Sequence, residues 1–188
     1  NKGGEYRKWY GNRLWVVDWE HNGAGIKSTG RATVRSEELY LQEMVGWTDV
    51  TSFAQLGVRY YGCGFVFDAS GPAIFPSNDI TAVSILGYLG SKISSIILQA
   101  LNSTLHVQAG NISSLPWVSN DLSSHPGTIV SSLINLSSKD WDSFETSWDF
   151  DGLPILLDSL KGITIEKSFS KWEKQSKSNI FKMKKLEE

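Results

Sequence analysis

The stretch Arg7-Lys8-Trp9-Tyr10-Gly11-Asn12 sets two cations beside two aromatic rings, and Arg13 follows at once. Guanidinium and ammonium groups hold phosphates, while flat Trp and Tyr faces stack on bases or pack against sugars. Amides such as Asn12, Asn22 and Gln55 are of the type that pairs with adenine edges. Further along, Lys27, Arg31 and Arg35 recur at four-residue spacing, and Arg59 precedes Tyr60. This chemistry leaves three readings open: a nucleic-acid surface, ordinary core and surface packing, and a carbohydrate platform.

Other chemistries find little support. His21, His106 and His125 are far apart and lack metal-ligand spacing, and no HExxH or paired-cysteine motif occurs, so no metal is expected. "GYLGSK" at 87–92 lacks the gap of a phosphate loop and reads as helix packing, while "GAG" at 23–25 and "GCG" at 62–64 read as turns. The carboxylates around 140–151 lie on one local segment and read as solvated charge or helix caps, not as a hydrolytic pair.

With 188 residues, 40% of them hydrophobic and 12% aromatic, the chain has enough apolar surface for one core without staples. Cys63 is its one cysteine, which excludes a disulfide framework. The three Asn-x-Ser/Thr sequons, at Asn102, Asn111 and Asn135, read as chance in so serine-rich a chain. No signal peptide and no uncharged apolar run of roughly 18 residues is present, so a cytoplasmic protein without a membrane span is expected.

The net charge of −2 conceals a sorted distribution. Residues 1–60 hold eight Lys/Arg against seven Asp/Glu, residues 61–160 two against nine, and residues 161–188 eight against four. Four of the five arginines precede residue 36 and the fifth is Arg59, so guanidinium groups concentrate in the first third. The start at Asn1 and the stop inside "FKMKKLEE" suggest a piece of a longer protein.

The elements that must position these groups follow from periodicity. "EYRKWYGNRLWVVDW" (5–19) reads as a hairpin turning at Gly11-Asn12, with Arg13, Trp15, Val17 and Trp19 on one face of its second arm. The glycine-rich residues 20–38 read as a long loop or flap that would align Lys27, Arg31 and Arg35 if it became helical. "MVGWTDV" and "FAQLGVRYYGCGFVFDAS" read as strands, the second broken by Gly62-Cys63-Gly64 into another hairpin. Apolar residues at 82, 85, 86, 89, 93, 96, 97 and 100 predict a long helix over about 79–101, capped by Ser77, Asn78 or Asp79. Gly87 and Gly90 within it imply either a break or a close backbone contact. "TLHVQ" reads as a short strand, "GNISSLPWV" as a turn leading into extended chain, 127–136 as a short helix, and 163–186 as a lysine-rich C-terminal helix. The class is α/β or α+β, with a mixed, mainly antiparallel sheet and its hairpins packed against the long helix and the C-terminal helix.

The blocks "NKGGEYRKWYGNRLWVVDWEHNG", "QLGVRYYGCGFVFDASGPAIFP", "LGYLGSKISSIILQALNSTLHVQAGNISSLPWV" and "WDSFETSWDF", in this order over nearly the whole chain, resemble the C-terminal half of adenine-specific DNA methyltransferases. The group resembled is the BREX or phage-growth-limitation type, together with related type II restriction-modification enzymes that carry a TaqI-like specificity domain. The resemblance implies a target-recognition-like domain over 1–160 and a helix over 161–188 leading into a region absent from this chain. It also implies double-stranded DNA and an upstream catalytic domain as partners. In that family the upstream domain binds S-adenosylmethionine and carries an Asn-Pro-Pro-Tyr/Phe motif for the flipped adenine. Neither that motif nor a glycine-rich cofactor motif occurs here, so no cofactor and no catalytic residue is expected in this chain.

The expected DNA-facing surface comprises Arg7, Lys8, Trp9, Tyr10, Asn12 and Arg13, the flap residues Asn22, Lys27, Arg31 and Arg35, and Arg59 with Tyr60. Its premise is that these guanidinium groups emerge together as one concave electropositive wall. The competing expectation is that Arg7, Lys8 and Arg13 pair with Glu5, Asp18 and Glu20 on a solvated hairpin. A carbohydrate-binding module, and a protein-docking role for the acidic aromatic segment or the lysine-rich helix, remain open.

Overall fold

The structure is a computed structural model that describes residues 1–51, 56–117 and 126–188; Gln55 and His125, and the start of the second strand-like run, lie outside the described residues. The architecture is mixed α+β. Strand β1 (Met44–Gly46) sits between β2 (Arg59–Tyr61) and β3 (Ala73–Ile74), both antiparallel to it, with Val45 opposite Tyr60 on one side and Ile74 on the other. All three residues of β1 are buried, as befits the central strand.

Helices cover this small sheet. The apolar spacing over residues 82–100 forms two helices, α2 (Ala82–Leu89) and α3 (Lys92–Leu101), bent by 66° at Gly90-Ser91, where the sequence pointed to one long helix. The cause is a second cap. Ser91 is extended and its hydroxyl accepts from the Ser94 amide at 3.2 Å, so the chain stops and restarts there. Thr81 caps α2 in the same way, in place of Ser77, Asn78 or Asp79. Helix α4 (Ala109–Ser113) replaces the expected turn, and α5 (Pro126–Trp141) outruns the expected 127–136. The C-terminal helix α6 (Ile165–Glu187) matches the expected lysine-rich helix over 163–186 and starts at a Thr164 cap. The core joins Val45, Trp47 and Val58 to Leu86, Leu89, Val130 and Leu133.

Neither expected hairpin forms. Gly11 and Asn12 do take positive φ, 121° and 56°, but so does Trp9, at 72°. The Trp9 backbone instead bonds both sides of Arg59, its amide donating to Val58 at 2.7 Å and its carbonyl accepting from Tyr60 at 2.9 Å, a single parallel bridge. Residues 13–18 belong to no strand. Gly11 leaves its Cβ space to Arg7 and the Trp141 ring, so the turn carries the chain over the end of α5 and does not reverse it. After the Gly62–Gly64 turn, Gly64 and Phe65 pair with Leu41, each bond 2.9 Å long, and the third strand comes from residues 73–74. "TLHVQ" contributes one bridge, between His106 and Val50.

The bend between α2 and α3 makes room for Trp9. A Cβ on Gly90 would stand 2.6 Å from the far edge of the Trp9 ring, whereas one on Gly87 would meet only a rotatable Val130 methyl at 2.8 Å. Gly90→Ala is therefore expected to lower the unfolding free energy by about 1–3 kcal/mol through overpacking. Gly87→Ala should cost far less, and urea midpoints of the two variants provide the comparison.

Candidate nucleic-acid interface

The residues singled out by their chemistry separate into three groups. The first is a structural clamp. Trp9 is 4% exposed, and its indole Nε1 donates to Glu187 Oε1 at 2.6 Å. Lys8 Nζ lies 3.3 Å from the same oxygen and 4.6 Å from the centre of the Trp9 ring. A carboxylate in the last turn of a helix opposes the helix dipole, and these two donors offset that cost. Arg7 stacks over Trp141 at 4.8 Å and pairs with Asp140 at 3.1 Å. Arg59 is 0% exposed; its guanidinium donates to the carbonyls of Arg7 and Gly57, to the Tyr61 hydroxyl and to Thr48 Oγ1, at 3.1–3.3 Å.

These positions correct the expected surface. Trp9 and Arg59 are interior groups, and Arg7 and Lys8 are held by carboxylates 133 and 179 positions away, not by Glu5, Asp18 or Glu20. The arginines do not emerge as one wall.

The second group is a stacked wall. The Arg13 guanidinium lies 3.8 Å over the Tyr10 ring and 4.7 Å over Phe65. It donates to the Tyr10 hydroxyl at 2.8 Å and the Tyr60 carbonyl at 3.0 Å, while its Nε is buried without a partner among the described residues. Burial, with Asp142 and Asp149 nearby, raises the Tyr10 phenol above its usual range. Tyr60 donates to Glu43 Oε1 at 2.7 Å, and burial together with that carboxylate pushes its phenol up to about 12. Asn12 holds the turn, donating to the Glu5 carbonyl at 2.8 Å.

The third group lies on the flap, which is partly helical. Helix α1 (Glu20–Ser28) begins through left-handed residues His21, Asn22 and Gly23. Gly23 is required there, because the Trp19 ring fills its Cβ position. An edge-to-face chain of rings, Trp19–Tyr40–Phe67–Phe75, anchors the base of the flap at centroid spacings of 5.0–5.4 Å. Lys27 pairs with Glu37 at 2.6 Å. Arg31 and Arg35 lie beyond the end of α1, so Lys27 does not align with them on one helical face. Both are exposed, and among the described residues neither has a carboxylate within 4 Å. Asn22 is exposed at the opposite end of α1, in its left-handed start.

Below the flap runs a groove of about 570 Å³, walled by Arg13, Phe65, Trp15, Val34 and Trp148 among others. Sequence reasoning missed Trp15 and Trp148 as site residues. They are 74% and 65% exposed, and no local signal marked them, since Trp15 stands in the apolar run from Leu14 to Val17 and Trp148 between Phe144 and Phe150. Among the described residues, no three His, Cys, Asp or Glu side chains gather to hold a metal, and no single helix is long and apolar enough to cross a membrane.

No protein-family profile matches the chain. The adenine-specific methyltransferase PglX of Lacticaseibacillus casei (strain Zhang) is 33% identical over 201 residues, covering 100% of this chain and 16% of that protein. The adenine-specific methyltransferase BrxX of Escherichia coli O9:H4 (strain HS) is 33% identical over 151 residues, covering 79% of the chain and 12% of that protein. The chain is thus similar to one segment of these methyltransferases and spans less than a fifth of their length.

Proposed function

We propose that this chain is the DNA sequence-recognition part of an adenine-specific (N6) methyltransferase of a phage-defence or restriction-modification system, acting on double-stranded DNA in the cytoplasm. The observation that carries the reading is the similarity to PglX across the whole chain. The exposed flap with Arg31 and Arg35 gives it a physical form, since free guanidinium groups on an adaptable arm suit phosphate contact.

On this reading the catalytic domain lies in another part of the parent enzyme and brings S-adenosylmethionine, which would supply the transferred methyl group. The residues present here do not fit that cofactor. The Gly62-Cys63-Gly64 turn follows β2 but leads into irregular chain and β3 and not directly into a helix, so it does not form the strand-turn-helix cradle such a cofactor uses. What this chain contributes is contact across the duplex, which offsets the few kcal/mol needed to swing a base out of the stack.

The test is duplex binding as a function of salt. Each phosphate contact contributes about 0.9 to the slope of log K against log salt. The double variant Arg31→Ala/Arg35→Ala is expected to bind more weakly and to lower that slope by about 2. An unchanged slope would remove the flap from the interface.

A further inference from the structure

We infer that the groove beneath the flap is a stacking site for an unpaired nucleobase of the DNA, distinct from the adenine that the catalytic domain receives. This rests on the nucleic-acid reading above and adds what enters the groove. Trp15 and Trp148 come from segments more than 130 positions apart, yet both line it, and both leave most of their ring surface open. Lys2 approaches the Trp15 ring at 5.6 Å. The lining also includes Arg13, a flat donor group packed against Tyr10 and Phe65, whose buried Nε lacks an acceptor among the described residues. An unmet buried donor favours re-pairing when an acceptor arrives. A base provides both requirements, a π-face for the indoles and in-plane acceptors for the guanidinium.

The groove walls carry both signs, Lys2 and Arg13 beside Asp68 and Asp149, so they offer a phosphate no excess positive charge and suit a largely neutral base. Asp68 is itself occupied, one oxygen accepting from the Ser70 amide and hydroxyl and from the Gly71 amide at 2.7–2.9 Å. Arg31 and Arg35 lie outside the groove on the flap, where Val34 of the same arm reaches its wall. The arrangement keeps the backbone on the arginines and the base between the indoles. Helix α1 of the flap starts through left-handed His21 and Asn22, which carries some conformational cost.

The experiment measures anisotropy of a labelled ten-nucleotide single strand and of the corresponding hairpin duplex bound to the 188-residue chain. Both indoles are exposed, so Trp15→Ala and Trp148→Ala keep the core intact. Each is expected to weaken single-strand binding about ten-fold with little change in salt slope. Arg31→Ala/Arg35→Ala should weaken both probes and reduce the slope. If the tryptophan variants bind the single strand like the wild type while duplex binding still depends on the arginines, the stacking site is overturned and the recognition function stands. If the indoles matter and the arginines do not, the stacking site stands and the flap assignment falls. A wild-type chain that binds neither probe, or that instead binds a soluble glycan through Trp15, overturns both.

Discussion

Replacing Trp9 with alanine is expected to lower the unfolding free energy by about 3–5 kcal/mol, the range for deleting a buried large aromatic. The ring fills the bend between α2 and α3, and its N–H bonds Glu187. Removing it opens a cavity beside Gly90, strips Lys8 of its stacking partner and leaves Glu187 at the helix end with one donor in place of two. The backbone bonds of residue 9 to Val58 and Tyr60 survive the substitution, so β2 keeps its edge. Trp9→Phe fills most of the space but loses the 2.6 Å bond, and should cost about 1–2 kcal/mol. Urea unfolding followed by circular dichroism measures both, with the m-value unchanged if only stability moves. A loss below about 1 kcal/mol for the alanine variant would show that the clamp is dispensable.

Arg59→Ala is expected to cost a similar amount, roughly 3–5 kcal/mol, for a different reason. Four neutral acceptors converge on one guanidinium, and among the described residues no carboxylate lies within 4 Å of it. Deleting the side chain leaves the carbonyls of Arg7 and Gly57 buried without a donor, each costing about 1–3 kcal/mol, and adds a void. The same variant separates structure from recognition. Under conditions where it remains folded, the salt slope of duplex binding should equal that of the wild type, because a residue with no exposed surface releases no counterion. A slope reduced by about 1 would mean that Arg59 reaches phosphate after all, in a conformation other than this one.

How much of this was legible in the sequence depends on how far each signal reaches. Helical structure over 82–101 follows from apolar spacing and that over 165–187 was read from a lysine-rich stretch, while the glycine pair offered the break between α2 and α3 as one of two outcomes. The hairpin at 5–19 failed because Gly11-Asn12 is a local signal, whereas the fate of Trp9 is decided by Glu187, 178 residues away. Arg59 misled for a related reason. Residue type gives charge, but in a short strand the side chain goes wherever acceptors gather, here toward the Arg7 carbonyl and Thr48 Oγ1 on two other segments. The groove was invisible in the sequence because its two open indoles, from segments more than 130 positions apart, meet only in the fold. Arg31 and Arg35 keep the exposure that a polar, glycine-rich loop implies, because among the described residues no carboxylate lies within 4 Å of either.

Helix α6 is pinned at both ends. Near its start Ser168 Oγ accepts from the Gly162 amide at 2.8 Å, and at its finish Glu187 grips Trp9 and Lys8. It behaves as a strut of fixed span, about 34 Å for 23 residues. Losing a single turn from its solvent-facing middle would shorten the span by about 5.4 Å, beyond hydrogen-bond reach of the indole. The length of this helix, and not only its chemistry, is therefore set by the anchorage of a tryptophan at the opposite end of the chain.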